Sequence, residues 1–353
     1  VTGNSPKKRG RGAGRNPAGR FETIQYEADP EAIDPMAPSP QTEFLRDISR
    51  SIITYNESPD IPDCAGLNPY RGCEHGCIYC YARPFHEYLG FSAGLDFETK
   101  ILVKEDAPEL LRRELESLSW VPQTIGLSGV TDPYQPVEKK LGLTRRCLEV
   151  LAEFRNPVSI ITKNHLITRD IDLLAELSRF DAAAAFVSVT TLDPDLARIM
   201  EPRTSQPEKR IAAIEALSKA GIPTGVMVAP VVPGLTDHEM PAILAAAAKA
   251  GSRFAFFIPV RLPGAVSGLF EQWLETHFPD KKEKVLNRIR STHGGSLNDP
   301  RFGARMKGEG IFVDQMKKVF RLACRKAGIV GGSPELSTAA FRRPGPVQER
   351  LFE

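Results

Sequence analysis

Cysteine is scarce in this chain, with six residues in 353, too few for a disulfide framework. Long apolar runs are missing as well: no 18-residue stretch is apolar enough to span a bilayer, so no membrane association is expected. Acidic residues are absent from the first 20 positions, which carry Lys7, Lys8, Arg9, Arg11, Arg15 and Arg20. No apolar segment follows those charges, which argues against a secretory signal and for a cytoplasmic location where thiols stay reduced. The net charge of +2 singles out no partner, and a hydrophobic content of 41% is enough for a substantial core.

One local shortage carries the most information. Cys73, Cys77 and Cys80 are spaced C-x3-C-x2-C, and no fourth cysteine follows closely. A closed iron–sulfur or structural zinc site takes four protein ligands, so three on one tight loop leave a metal corner open. In a [4Fe-4S] cluster the free iron can be chelated by the amino and carboxylate groups of S-adenosylmethionine (SAM). An electron from the cluster then cleaves the sulfonium and releases a carbon radical. The spacing, with Tyr79 beside Cys80, resembles the signature of the radical-SAM superfamily. Two other readings stand beside it. Cys64 lies nine residues before Cys73, so four thiolates on zinc are formally possible, although Cys64 follows Pro62 in a separate turn-like segment and the close thiols form no paired C-x2-C knuckles. The third reading is structural thiols alone. Cys147 and Cys324 sit in helix-like apolar patterns and read as buried small hydrophobes.

Residues 1–41, rich in Gly, Pro and Arg, have little apolar periodicity and are expected to form a flexible basic arm. Such an arm can follow nucleic-acid phosphates. From 42 to 260, apolar runs alternate with amphipathic stretches. The pattern predicts strands at Thr124–Ser128, Val158–Thr162, Ala185–Thr190, Thr224–Val231 and Arg253–Val260, after a first strand leading into the cysteine loop. Helices are expected at Leu143–Phe154, Asp170–Ser178, Glu208–Ala220 and Asp237–Ala250, with N-caps from Asp170 and the run Thr236 to Glu239. Gly221 and Gly251 would follow two of them as C′ residues. Repeated β/α units with right-handed crossovers fit an α/β fold, a partial (β/α)6 TIM-type barrel, whose chemistry gathers at the C-terminal ends of its strands. Residues 261–330 read as a helical extension flanking the mouth, and 331–353 as a flexible tail.

Polar residues at strand ends are candidate cofactor partners. Lys163 could pair with a carboxylate, Ser188 and Thr190 could meet an amino group or ribose, and Asp132 could point into the mouth. Each taken singly also reads as a strand-end cap or turn residue. The run from Asn68 to Pro84 resembles the spore photoproduct lyase-like branch of the radical-SAM superfamily. Thr131 to Pro136, Ile161-Thr162-Lys163, Val187 to Thr190, Glu201-Pro202 and Val226 to Pro230 follow in that branch's order. The resemblance implies a lyase-like radical enzyme and SAM contacts for Lys163 and Ser188. The lyase carries a hydrogen-donating cysteine just after the second strand. Here that stretch reads Leu127-Ser128-Gly129-Val130-Thr131-Asp132, and no cysteine lies between Cys80 and Cys147. Tyr79, Tyr81 and Tyr134 are the candidate substitutes, with aromatic packing as the alternative for each.

The chain ends Gln348-Glu349-Arg350-Leu351-Phe352-Glu353. Gln348, Leu351 and Phe352 resemble the peptide by which bacterial polymerases and repair proteins dock on the sliding clamp, with two apolar anchors and a directional amide. The expected partners are therefore DNA, that clamp, and an electron donor such as flavodoxin or ferredoxin, with the protein a monomer. The alternatives are a radical enzyme acting on a small molecule or peptide, and a non-catalytic metal-stabilised nucleic-acid-binding module.

Overall fold

The computed structural model describes residues 10–22, 40–60 and 65–345. Cys64 and the peptide from Gln348 to Phe352 lie outside them.

Eleven strands are described: β1 Glu43–Arg46, β2 Ile53–Tyr55, β3 Ala65–Leu67, β4 Tyr70–Arg71, β5 Lys100–Val103, β6 Ile125–Leu127, β7 Val158–Thr162, β8 Ala183–Ser188, β9 Thr224–Val231, β10 Phe254–Pro259 and β11 Val330–Gly331. The first helices are α1 Leu95–Thr99, α2 Ala107–Glu116, α3 Glu138–Leu141, α4 Leu143–Phe154, α5 Ile171–Ser178 and α6 Pro194–Met200. They continue with α7 Pro207–Lys219, α8 Met240–Lys249, α9 Val266–His277, α10 Lys282–Thr292 and α11 Ile311–Ala327.

The large sheet runs β11-β10-β9-β8-β7-β6-β3-β2. Every neighbouring pair from β3 to β11 is parallel, and only β2 is antiparallel. This is the open, partial barrel expected: β3 and β6 to β10 are its six staves, with an added strand on each edge. A parallel sheet is covered on both faces, and β8, at the centre, accordingly reads AAAFVS with all six residues buried. Amphipathic helices cover the outside. Leu148, Leu151 and Phe154 of α4, Leu174 and Leu177 of α5, and Ile243 and Leu244 of α8 face one core with Ile160, Val187, Val226 and Val228. Gly221 and Gly251 follow α7 and α8 with φ of 80° and 95°, as expected of C′ glycines.

A second core joins the C-terminal helices to the cysteine loop. Phe270 and Trp273 of α9 and Leu286 of α10 pack with Ile78, Tyr79, Met200 and Val260. The extension is therefore seated against the mouth.

Two expectations fail. Residues 10–22 are not a free arm, because the buried Glu98 carboxylate needs donors. The Gly12 and Ala13 backbone N–H groups donate to it at 3.0 and 2.8 Å, and Ala13 is buried. Gly12 lies so close to the cysteine loop that a Cβ there would sit 1.7 Å from the Gly76 oxygen. Residues 331–345 do not all trail away either. Ser337 N donates to Asp181 O at 2.9 Å, Phe341 packs on Phe154 at 6.3 Å between ring centroids, and Arg343 donates to the Ser117 and Trp120 carbonyls.

Candidate active site around a three-cysteine loop

The cysteines follow β3 and β4, at the C-terminal end of the parallel strands, where barrel chemistry is expected. Gly72 and Gly76 bracket Cys73 with φ of 78° and 67°, a left-handed geometry that lets the loop turn tightly. Cys73 N donates to Phe97 O at 2.8 Å and Ile78 N to Met200 O at 3.1 Å. Arg83, fully buried, donates to the Cys77 carbonyl from two nitrogens (3.0 and 2.9 Å) and forms a 2.6 Å ion pair with Glu98. The strap at residues 11–13, Glu98 and Arg83 thus fasten the loop from outside.

Inside, Asp132 ties it to two strand ends. Its carboxylate accepts from Thr162 Oγ1 (2.6 Å), Lys163 N (2.7 Å) and Tyr134 N (2.9 Å), and faces His75 Nδ1 at 3.3 Å. Burial alone would raise this carboxyl; His75, the Thr162 hydroxyl and the Lys163 N–H bring it down to about 2. Gln135 accepts from Glu74 N and donates to Gly72 O. A third fastening is Glu201, which accepts from Thr190 Oγ1 at 2.6 Å and also from Tyr79 Oη and Arg210. Arg210 in turn donates to the Ser188 and Ser205 carbonyls.

Sequence reasoning grouped Asp132, Lys163, Ser188 and Thr190 as cofactor contacts. The structure brings all four to one rim but gives them different surroundings. Asp132 and Thr190 are committed to protein partners. The Lys163 ammonium makes no ion pair with a described residue and lies 5.9 Å from the Tyr79 ring centroid. Buried Ser188 has no described partner for its hydroxyl. The three tyrosines differ as well. Tyr79 is buried against Glu201, and Tyr134 is buried beside Asp170 and Arg169. Tyr81 is 40% exposed, and its hydroxyl donates to Gly129 O in the stretch where the lyase-like branch carries its thiol. His75, Glu98, Arg83 and Arg210 were missed. A His inside the cysteine run was the visible signal; the others show only through tertiary contact.

The donor set fits an iron–sulfur cluster. All three thiols are free, and burial pushes each above its ordinary value, Cys73 and Cys77 well above. Lys163 and Arg210 oppose this at Cys77, as do Arg83 and Lys163 at Cys80. Cations around buried thiols suit an anionic cluster whose binding removes their protons. Among the described residues no group of three His, Cys, Asp or Glu side chains could hold a single metal ion. A cubane takes one thiolate per iron, which three cysteines on one loop can supply.

The comparisons agree. Residues 67–247 match the family model of the Radical SAM superfamily. An uncharacterized protein of Mycobacterium tuberculosis is 40% identical over 241 residues, 66% of this chain and 70% of the relative. The Radical SAM Nalpha-GlyT isomerase of Pseudomonas phage M6 is 30% identical over 173 residues, 48% of this chain and 34% of that one. Among solved structures, a spore photoproduct lyase mutant superposes with a TM-score of 0.56 at 15% identity, covering 82% of this chain and 81% of the other. The chain belongs to the radical SAM superfamily. It is a radical SAM enzyme, using a [4Fe-4S] cluster and SAM, on the fold that spore photoproduct lyase also adopts. Among the described residues no helix is long and apolar enough to cross a membrane.

Proposed function

We propose that this enzyme repairs or modifies nucleic acid. When bound, the [4Fe-4S] cluster on Cys73, Cys77 and Cys80 supplies the electron that cleaves SAM. Around it, Lys163 would hold the SAM carboxylate through its uncommitted ammonium and Ser188 would offer its hydroxyl to the amino group or ribose. Asp132 and Thr190 act one step back, fixing the loop and the strand ends. Tyr81 would exchange a hydrogen atom with a substrate, a role its exposure supports while Tyr79 and Tyr134 are enclosed.

The observation carrying the nucleic-acid reading is a likeness extending over 82% of the chain to a lyase that has been solved with dinucleoside spore photoproduct. A dithionite-reduced, anaerobically reconstituted sample should release 5′-deoxyadenosine, and oligonucleotide should change the rate. Cys77→Ala should abolish release. No release from a fully loaded wild-type sample would refute catalysis of this kind; acceleration by peptides but not by oligonucleotide would move the substrate to the alternative class.

A further inference from the structure

Arg261 follows β10 at the barrel mouth, its guanidinium carbon 4.6 Å from the centroid of the Tyr81 ring. It has no hydrogen bond or ion pair with a described residue. Burial lowers its pKa and Arg305 lowers it further, with Tyr81 and Asp60 opposing them. Apart from that ring contact its five donors have no described acceptor, and a half-buried guanidinium near a second guanidinium is relieved by an anion. Arg305 is held in place by Asp60, with Nε to Oδ2 at 2.6 Å, and stacks at 4.6 Å on Phe302, whose side is 62% exposed. Gly303 N donates to Asp60 Oδ1 at 2.7 Å, so the segment before β3 and the loop before α11 are tied together beside this spot.

We propose that Arg261 and Arg305 form a phosphate clamp that seats one phosphodiester of a single-stranded or extruded nucleotide at the mouth. This rests on the nucleic-acid reading above and names its recognition site. The free fork of Arg261 and the Arg305 N–H groups not spent on Asp60 and Ser58 suit a tetrahedral anion with several acceptor oxygens, as in other phosphate sites. The exposed Phe302 ring beside them offers a stacking face to a base, the combination single-strand binders use. A peptide carboxylate would occupy one fork and leave the ring idle.

The test is fluorescence anisotropy of a labelled single-stranded oligodeoxynucleotide with the full chain, across a salt series. Arg261→Gln and Arg305→Gln should each weaken binding about tenfold at low salt and reduce the salt slope by about one. Lys318→Ala, on the exposed side of α11, should change neither. The thermal melting of Arg261→Gln should stay close to wild type, since no hydrogen bond or ion pair with a described residue is lost and only the contact with the Tyr81 ring goes. Wild-type affinity and slope in Arg261→Gln would overturn the clamp while leaving nucleic-acid binding standing. Absence of oligonucleotide binding by wild type at low salt would overturn both. Displacement of the oligonucleotide by a Glu-rich peptide at matched ionic strength, lost in Arg261→Gln, would reassign the site to carboxylates.

Discussion

The two sides of the cysteine loop differ in how their polar groups are used. On the anchored side, Asp132, Glu98 and Glu201 each accept from at least three protein donors and are spent on fastening the loop. On the open side, Lys163, Ser188 and Arg261 make no side-chain hydrogen bond or ion pair with a described residue, the two cations meeting only the Tyr79 and Tyr81 rings. Buried carboxylates must be fully paired to be tolerable, whereas a cation at a wet rim can wait for its anion. Polar residues at neighbouring strand ends are thus divided between holding the loop and meeting the ligand, a division that their shared position on the rim does not reveal.

Substitutions on the two sides should separate stability from binding. Glu201→Ala leaves Arg210 buried and unpaired and frees Tyr79, and should cost about 3–5 kcal/mol in a urea unfolding curve. An unaltered midpoint would show that the Glu201 network does not hold the loop. Lys163→Ala should leave unfolding nearly unchanged and weaken SAM binding by about 1.5–3 kcal/mol, the range for a charge-assisted hydrogen bond, measured by calorimetry on the reconstituted protein. If Lys163→Ala instead unfolded easily and bound SAM normally, Lys163 would move to the anchored side.

Much of the fold was legible because β/α periodicity is strong wherever a strand is buried on both faces. Leu143–Phe154 matches α4 at both ends, and Val158–Thr162 and Thr224–Val231 match β7 and β9. The proposed caps show where local reading stops. Asp170 precedes α5, but its carboxylate goes to Arg145 and Arg169; Thr236 Oγ1 accepts from Val232 N rather than capping α8. In both cases another donor, remote Arg145 with adjacent Arg169 at Asp170 and the preceding turn at Thr236, won over the helix N–H groups. The cysteine loop was legible from spacing alone, since its three cysteines sit within eight residues. Its fastenings were not, because Gly12, Glu98, Glu201 and Arg210 meet it from remote parts of the chain. The strap was misread for the same reason: nothing in a Gly- and Arg-rich run announces that two of its N–H groups satisfy a distant buried carboxylate.

The smallest effect on chemistry should come from the far end of the chain. Ser337, Phe341 and Arg343 meet Asp181 before β8, Phe154 before β7, and Ser117 and Trp120 before β6. Those contacts lie at the N-terminal ends of the strands, opposite the cysteine loop. A partner gripping the peptide from Gln348 to Phe352 would therefore engage the chain beyond an anchor on the side away from the mouth. Recruitment of this kind raises local concentration along DNA without adding a contact at the active site. Deleting residues 348–353 should leave SAM cleavage at its wild-type rate and abolish co-purification with the sliding clamp. Retained clamp binding by the truncated chain would exclude this peptide as the docking element. No binding by the full chain at tens of micromolar would exclude clamp recruitment altogether, and a fall in SAM cleavage on truncation would show that the two sides of the barrel are coupled.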